Sequence, residues 1–403
     1  MLIKDIETFI VGVPDGAPGG RYFIFVKLTS DGGVTGWGEA YGASFGPKAM
    51  AAMIEDVAAR HLVGYDPHDV EAFFRRCYSS GFTQRPDLSI MGCHSALEMA
   101  CWDIVGKEAG KPVHALIGGK VHEALRSYTY LYPAEGSIYP DETSGRTVYN
   151  DPDLAAENAV RWVEQGFTAV KFDPAGPYTQ YDPHQPLLTD IERSAAMVKA
   201  VRAAVGTRAD ILFGTHGQFT PSGAARMAKA IEPYDPLWFE EPVPPDMPEA
   251  MAQIAAKTSI PIATGERLTT KYEFARLLAL GAAQIVQPNC GRSGGIWETK
   301  KIAALAEVHH ALVAPHCYCG PVVAAANIQV AASCPNFLIL EAIKDWGGFH
   351  AELLTSPLTL ENGYSLVPQA PGLGVEIDED VARAHPYDGD KLHLTMADAA
   401  AQP

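Results

Sequence analysis

Eight short apolar runs, each followed by a stretch of helical periodicity, predict an α/β chain whose main part is a parallel (β/α)8 barrel. A polar, charged or glycine residue ends most of these runs, and from the third run onward those residues stand 23 to 27 positions apart. Residues 1–125 carry a different pattern, alternating strands and then helices, which predicts an α+β domain in front of the barrel.

In chain order, residues 3–13, 22–28 and 34–41 read as a strand meander, broken by Gly-rich turns at 16–20 and 31–33. Helical periodicity follows at 49–62, 70–78 and 95–109, the last closed by Gly110 and Pro112. Barrel strands are expected at 127–131, 169–172, 211–213, 237–239, 260–263, 284–286, 312–314 and 337–340. Asp151-Pro152 opens the helix that Gly166 closes, and Thr220-Pro221 opens one that Pro233 stops. The barrel is expected to span 126–355, with a loop-rich tail at 356–403 packing back on the first domain.

The chain has 403 residues and a formal charge of −17, with 47% hydrophobic and 20% charged residues. That composition buries a large core and excludes disordered and collagen-like classes. So acidic a chain is a poor general binder of nucleic acid or anionic membrane. An anionic substrate would need local positive charge, most simply from a metal ion. No run approaches the ~18 apolar residues of a membrane span. Asp5 and Glu7 stand where a signal peptide needs an apolar run. Seven scattered cysteines, Cys317 and Cys319 among them as CxC, do not form a disulfide framework or zinc ribbon. The expectation is a reduced, cytoplasmic protein acting on a small molecule.

Barrel chemistry sits at the C-terminal ends of the strands. Asp173, Gly214, Glu240, Glu266, Asn289, His316 and Glu341 occupy those ends and share one face. Two carboxylates on neighbouring strands, Glu240 and Glu266, suit a hard cation such as Mg2+. A gap of 41 residues between Asp173 and Gly214 holds a polar, Pro-rich insertion at 174–190 that should overhang the site.

Further motifs carry a resemblance over nearly the whole chain: Gly36-Trp37-Gly38-Glu39-Ala40, Ala96-Leu97-Glu98-Met99-Ala100-Cys101-Trp102-Asp103, Trp238-Phe239-Glu240-Glu241-Pro242, Gly265-Glu266-Arg267, Gln287-Pro288-Asn289, Pro315-His316 and Pro371-Gly372-Leu373-Gly374. With these the chain resembles the enolase superfamily, mandelate racemase-like branch, and within it the sugar-acid dehydratases of the D-galactonate type. The resemblance implies a (β/α)7β barrel of the TIM type, an α+β capping domain, one Mg2+ and a homo-oligomer of eight, four or two copies. It implies removal of the proton α to a carboxylate and loss of a β-hydroxyl, giving a 2-keto-3-deoxy acid. Lys171 matches the lysine that neutralises the substrate carboxylate. His316 matches the base, His216 the acid that assists the departing hydroxyl, and Glu341 a hydrogen-bond donor to the enediolate. Glu240 and Glu266 match two metal ligands, and Arg267 follows Glu266 in the shared motif.

Three positions depart from that pattern. The family places a metal-ligating Asp where this chain has Gly214, so either the third ligand comes from elsewhere, with His216 and Asp173 as candidates, or metal binding is weak, or the copy is inactive. Asn289 replaces the Asp that orients the base, and an amide fixes orientation without supplying charge. Asp173 replaces the second lysine of a Lys-x-Lys pair and is itself a candidate base or ligand. Substrate choice is expected from the capping loops 14–21 and 78–90, with Arg21 and Arg85 as carboxylate contacts. A cycloisomerase opening an anhydro-sugar acid or lactone is the alternative within the same chemistry. A non-catalytic member that has lost its metal Asp is the alternative outside it.

Overall fold

The protein is described by a computed structural model covering residues 1–42, 45–133 and 147–396; the end of the expected tail, 397–403, lies outside the described residues. Strands β1 (Ile3–Gly12), β2 (Tyr22–Ser30) and β3 (Thr35–Ala40) form an antiparallel sheet in the order 1-2-3. Its Ile24, Val26 and Leu28 bury against Leu97, Ala100 and Ile104 of the helix Leu88–Ala109. That helix starts seven residues before the expected 95. Asp87 caps it, accepting from the Ser89 and Ile90 N–H groups at 2.8 and 3.0 Å. From Met91 to Gly106 nearly every residue is buried, so no polar stripe marks its course in the sequence.

The barrel strands are β4 (Ala124–Tyr130), β5 (Ala169–Phe172), β6 (Asp210–Phe213), β7 (Trp238–Glu240), β8 (Ile262–Thr264), β9 (Ile285–Val286), β10 (Leu312–Val313) and β11 (Leu340–Glu341). Neighbours from β4 to β10 pair in parallel, one after another. The ring closes through a bent eighth segment. Phe337 bridges Val313 of β10, and three residues on Leu340 and Glu341 pair with Ser127 and Tyr128 of β4. The bend is why the last strand lies at 340–341 and not across 337–340. After it comes the four-residue helix Phe349–Glu352 in place of an eighth full one. The architecture is therefore (β/α)7β with an α+β cap.

The barrel interior explains where the chemistry points. Tyr128, Ala169, Leu212, Trp238, Ala263, Ile285, Ala314 and Ile339, one from each strand position, form a single buried cluster. Tyr128 meets Trp238 edge-on at 5.4 Å within it. Residues two further along a strand face the same way, which brings Tyr130, Lys171, Gly214, Glu240, Gln287, His316 and Glu341 into the next layer. β8 is the exception, because the corresponding residue is Gly265. Its φ of +136° is open to glycine and re-aims the chain so that Glu266 enters instead.

A hairpin, β12 (Leu360–Glu361) with β13 (Tyr364–Leu366), pairs antiparallel with the start of β4. The chain then crosses to the cap. Leu373 N–H donates to Asp103 at 2.8 Å, Arg383 to Glu7 at 2.8 Å, and His393 N–H to the Tyr22 hydroxyl at 3.1 Å. Two buried cap carboxylates reach the other way. Glu39 accepts from the N–H groups of Gly320 (2.5 Å) and Val323 (2.9 Å), at the start of the helix Pro321–Ala332. Glu98 accepts from Ile296 (2.7 Å) and Trp297 (2.9 Å), at the start of the helix Gly295–Val308. Each neutralises the unpaired donors and positive end of a helix that follows a site-bearing strand. Burial pushes both carboxyls up to about 7, against the pull of those hydrogen bonds. No helix among the described residues is long and apolar enough to cross a membrane.

Candidate active site

At the C-terminal mouth, His216, Glu240 and Glu266 each offer a ligand atom within 4.8 Å of the others. Glu240 is fully buried between two donors: the ammonium of Lys171 on one oxygen and Gln287 Nε2 at 2.9 Å on the other. Burial pulls the Lys171 ammonium down, but Glu240 and the carboxylates of Glu341, Asp173 and Glu266 outweigh it and hold the pKa above the usual lysine value. Burial drives Glu240 up to about 7 against the attraction of Lys171. The rings of Tyr130 and Tyr128 flank the ammonium at 5.0 and 5.9 Å.

The two histidines stand on either side of Glu266. His216 Nε2 is 3.6 Å from one of its oxygens, and His316 Nε2 is 3.5 Å from the other. His216 is covered by the insertion, whose Tyr178 meets the imidazole edge-on at 4.7 Å. Its Nδ1 looks toward Asp173 Oδ2 at 3.9 Å. His316 Nδ1 is 2.9 Å from the Asn289 amide nitrogen, and its Nε2 is 4.0 Å from Glu341. Burial lowers the His316 pKa even though Glu266 and Glu341 pull it upward. Glu341 itself accepts from the Cys317 N–H at 2.7 Å.

Gly214 has a steric meaning invisible in the sequence. A Cβ built on it would overlap Asp173 Oδ1 and stand 3.0 Å from that carboxyl carbon. The Asp173 carboxylate therefore lies over the bare Cα of the neighbouring strand, in the corner that an Asp at position 214 would occupy. Glycine 214 is the notch that seats Asp173.

Asp173, Glu240, Glu266 and Glu341 thus crowd the mouth with the Lys171 cation among them. Asp173 Oδ1, Glu266 Oε2 and His216 Nδ1 are buried there without a hydrogen-bond partner. Excess negative charge and unpaired donor atoms fit a divalent cation held by Glu240, Glu266 and His216. The arginines are placed differently. Arg267 donates from Nε to the buried Glu241 at 2.8 Å, at the edge of this cluster. Arg21 is tied to the tail, through the Leu392 carbonyl at 2.8 Å and Thr395 at 3.3 Å. Arg85 is exposed on its loop. Gln287, Tyr130 and Tyr178 complete the site. Gln287 lies in the Gln287-Pro288-Asn289 motif, two residues back from Asn289 along its strand, and Tyr178 in the insertion expected to overhang the site, but no local signal gives any of the three a role.

Comparison with known proteins gives the same frame. Residues 154–381 match the enolase C-terminal domain-like family, and 16–118 match the mandelate racemase / muconate lactonizing enzyme N-terminal domain. D-xylonate dehydratase of Haloferax volcanii is 33% identical over 397 residues, covering 97% of this chain and 90% of its own. D-gluconate/D-galactonate dehydratase of Picrophilus torridus is 32% identical over 391 residues, 96% of this chain and 95% of its own. The crystal structure of mandelate racemase/muconate lactonizing enzyme from Sulfitobacter sp. is 56% identical, with a TM-score of 0.96 over 100% of both chains. With both domains matched and the barrel mouth built from the motif residues, the chain belongs to the mandelate racemase/muconate lactonizing enzyme family of the enolase superfamily.

Proposed function

We propose that this protein is a sugar-acid dehydratase, a carbon–oxygen lyase that converts an acid sugar to its 2-keto-3-deoxy acid. The observation that carries the reading is the buried cluster of Glu240, Glu266 and His216 beside the Lys171 ammonium, in a chain about one third identical to named sugar-acid dehydratases along nearly its full length. A carbon acid next to an ionised carboxylate is very weak, so catalysis must stabilise a second negative charge that forms only as the proton leaves. A bound Mg2+, held by those three residues, would supply Lewis-acid charge for that purpose.

The chain's own residues do the rest. Lys171, cationic and fixed by Glu240, adds positive potential beneath the substrate carboxylate. Asp173, with one buried oxygen unpartnered and its position guaranteed by the Gly214 notch, is the acceptor of the α-proton, and the carboxylic acid so formed returns that proton to the departing β-oxygen, which leaves as water. Glu266 and His216 form the wall opposite His316, and Tyr178 closes over His216 to exclude water. His216 counts against the non-catalytic alternative, because beside Glu240 and Glu266 it offers the third ligand atom that Gly214 cannot.

The test is incubation of the full chain with D-gluconate, D-galactonate and D-xylonate plus Mg2+ or Mn2+, scoring 2-keto acid. Turnover of at least one, abolished by Glu266→Gln and by Asp173→Asn, is the expected result. Absence of product from every acid with either metal would overturn the reading.

A further inference from the structure

Asn289 is held by three contacts that together decide what His316 presents to the substrate. Its Oδ1 accepts the Gly291 N–H at 2.7 Å. Its Nδ2 lies 2.9 Å from His316 Nδ1 and donates to Cys319 Sγ at 3.2 Å. Turning the amide over would aim its NH2 group at the Gly291 N–H, donor against donor, so the carbonyl oxygen and the amino group are not interchangeable here. Both amide hydrogens are then directed, one at the thiol and one at the imidazole. His316 Nδ1 must meet the amide with a lone pair. An imidazolium would place an N–H against an N–H at the same spot.

A neutral imidazole carries a single N–H, and with Nδ1 accepting, that hydrogen is on Nε2. The other side of the ring agrees. Nε2 faces Glu341 Oε2 at 4.0 Å, where an N–H is attracted and a lone pair would be repelled. An Asp at position 289 would do the reverse: accept from Nδ1–H and leave Nε2 with a free electron pair aimed into the site. One NH2 in place of one oxygen inverts the nitrogen on offer.

We propose that Asn289 is a positioning residue that holds His316 as its Nε2–H tautomer, so that His316 serves the reaction as a neutral hydrogen-bond donor and not as the α-proton acceptor. This rests on the carboxylate chemistry proposed above. The donor keeps its hydrogen throughout; it stabilises an oxygen that gains negative charge, as a neutral imidazole does without becoming imidazolate. The α-proton goes to the other side of the mouth, where Asp173 stands.

The experiment is a long-range proton–nitrogen correlation spectrum of the full chain labelled with 15N-histidine, at neutral pH. His316 is identified as the residue whose signals vanish in His316→Gln. The expected pattern is an unprotonated Nδ1 and a protonated Nε2, reversed in Asn289→Asp. A wild-type His316 protonated on Nδ1, or on both nitrogens, overturns the proposal, and this reading stands even where Asn289→Asp fails to fold. With an acid that the enzyme dehydrates, His316→Gln should lose on the order of 10²-fold in elimination while exchange of the C2 hydrogen in deuterated water continues. Loss of that exchange in a folded His316→Gln protein overturns the proposal as well. Should no acid be turned over, the dehydratase reading fails and the nitrogen spectrum alone decides the tautomer.

Discussion

Gly214→Ala is the most informative single perturbation of this protein. The added methyl overlaps Asp173 Oδ1 and stands 3.1 Å from Lys171 Cε. Lys171 is fully buried and pinned to Glu240, so it cannot give way. Asp173, with 13% of its side chain exposed, can swing toward the mouth. Relief through that rotation keeps the cost in the ordinary overpacking range, about 1–3 kcal/mol. Turnover should fall on the order of 10²-fold, because the carboxylate that receives the proton is displaced by roughly an ångström. Stability is read from urea unfolding of four metal-free proteins: wild type, Gly214→Ala, Asp173→Ala and the double variant. In the Asp173→Ala background the main overlap is gone and only the 3.1 Å contact with Lys171 Cε remains, so the cost should fall by about 1–2 kcal/mol. The difference, a coupling of about 1–2 kcal/mol, is the signature of direct contact. An equal cost in both backgrounds would refute the notch.

Lys171→Met leaves the buried Glu240 carboxylate without its cation and should destabilise the metal-free protein by about 3–5 kcal/mol, most of it recovered in Lys171→Met/Glu240→Gln; urea unfolding reads both. Glu266→Gln removes one of two carboxylates from the cation cluster, so calorimetric titration with Mn2+ should show no heat at concentrations that saturate the wild type. Glu39 has its folded-state pKa raised from 4.5 to about 7. The folded protein therefore holds a proton that the unfolded chain has released, and this contribution to stability is complete below pH 4.5 and lost as pH rises to about 7. Across that window Glu39→Gln should flatten the fall in stability by up to ~1.4 kcal/mol per pH unit, measured as thermal midpoints against pH.

The architecture was legible wherever local pattern and tertiary need coincide. β5 lies at Ala169–Phe172, the four residues expected, because both its neighbours in sequence and its burial favour a short apolar strand. The helix Pro152–Glu164 begins at its Asp-Pro signal, with Asp151 accepting from the Asp153 and Leu154 N–H groups. What stayed hidden depends on pairs of residues distant in the chain. Gly214 reads as a missing ligand until Asp173 is seen lying over it. Asn289 reads as a weaker Asp until Gly291 and Cys319 fix which end of the amide faces His316. Glu39 and Glu98 look like ordinary motif carboxylates, because nothing local says that each ends on a helix of the other domain.

Those two glutamates also set how this architecture can be rearranged. Each crosses the seam to terminate a helix behind a rim loop, so the small domain is bolted to the very segments that carry Asn289 and His316. A chimera that grafts a foreign cap onto this ring would inherit two bare helix starts unless both glutamates travel with it.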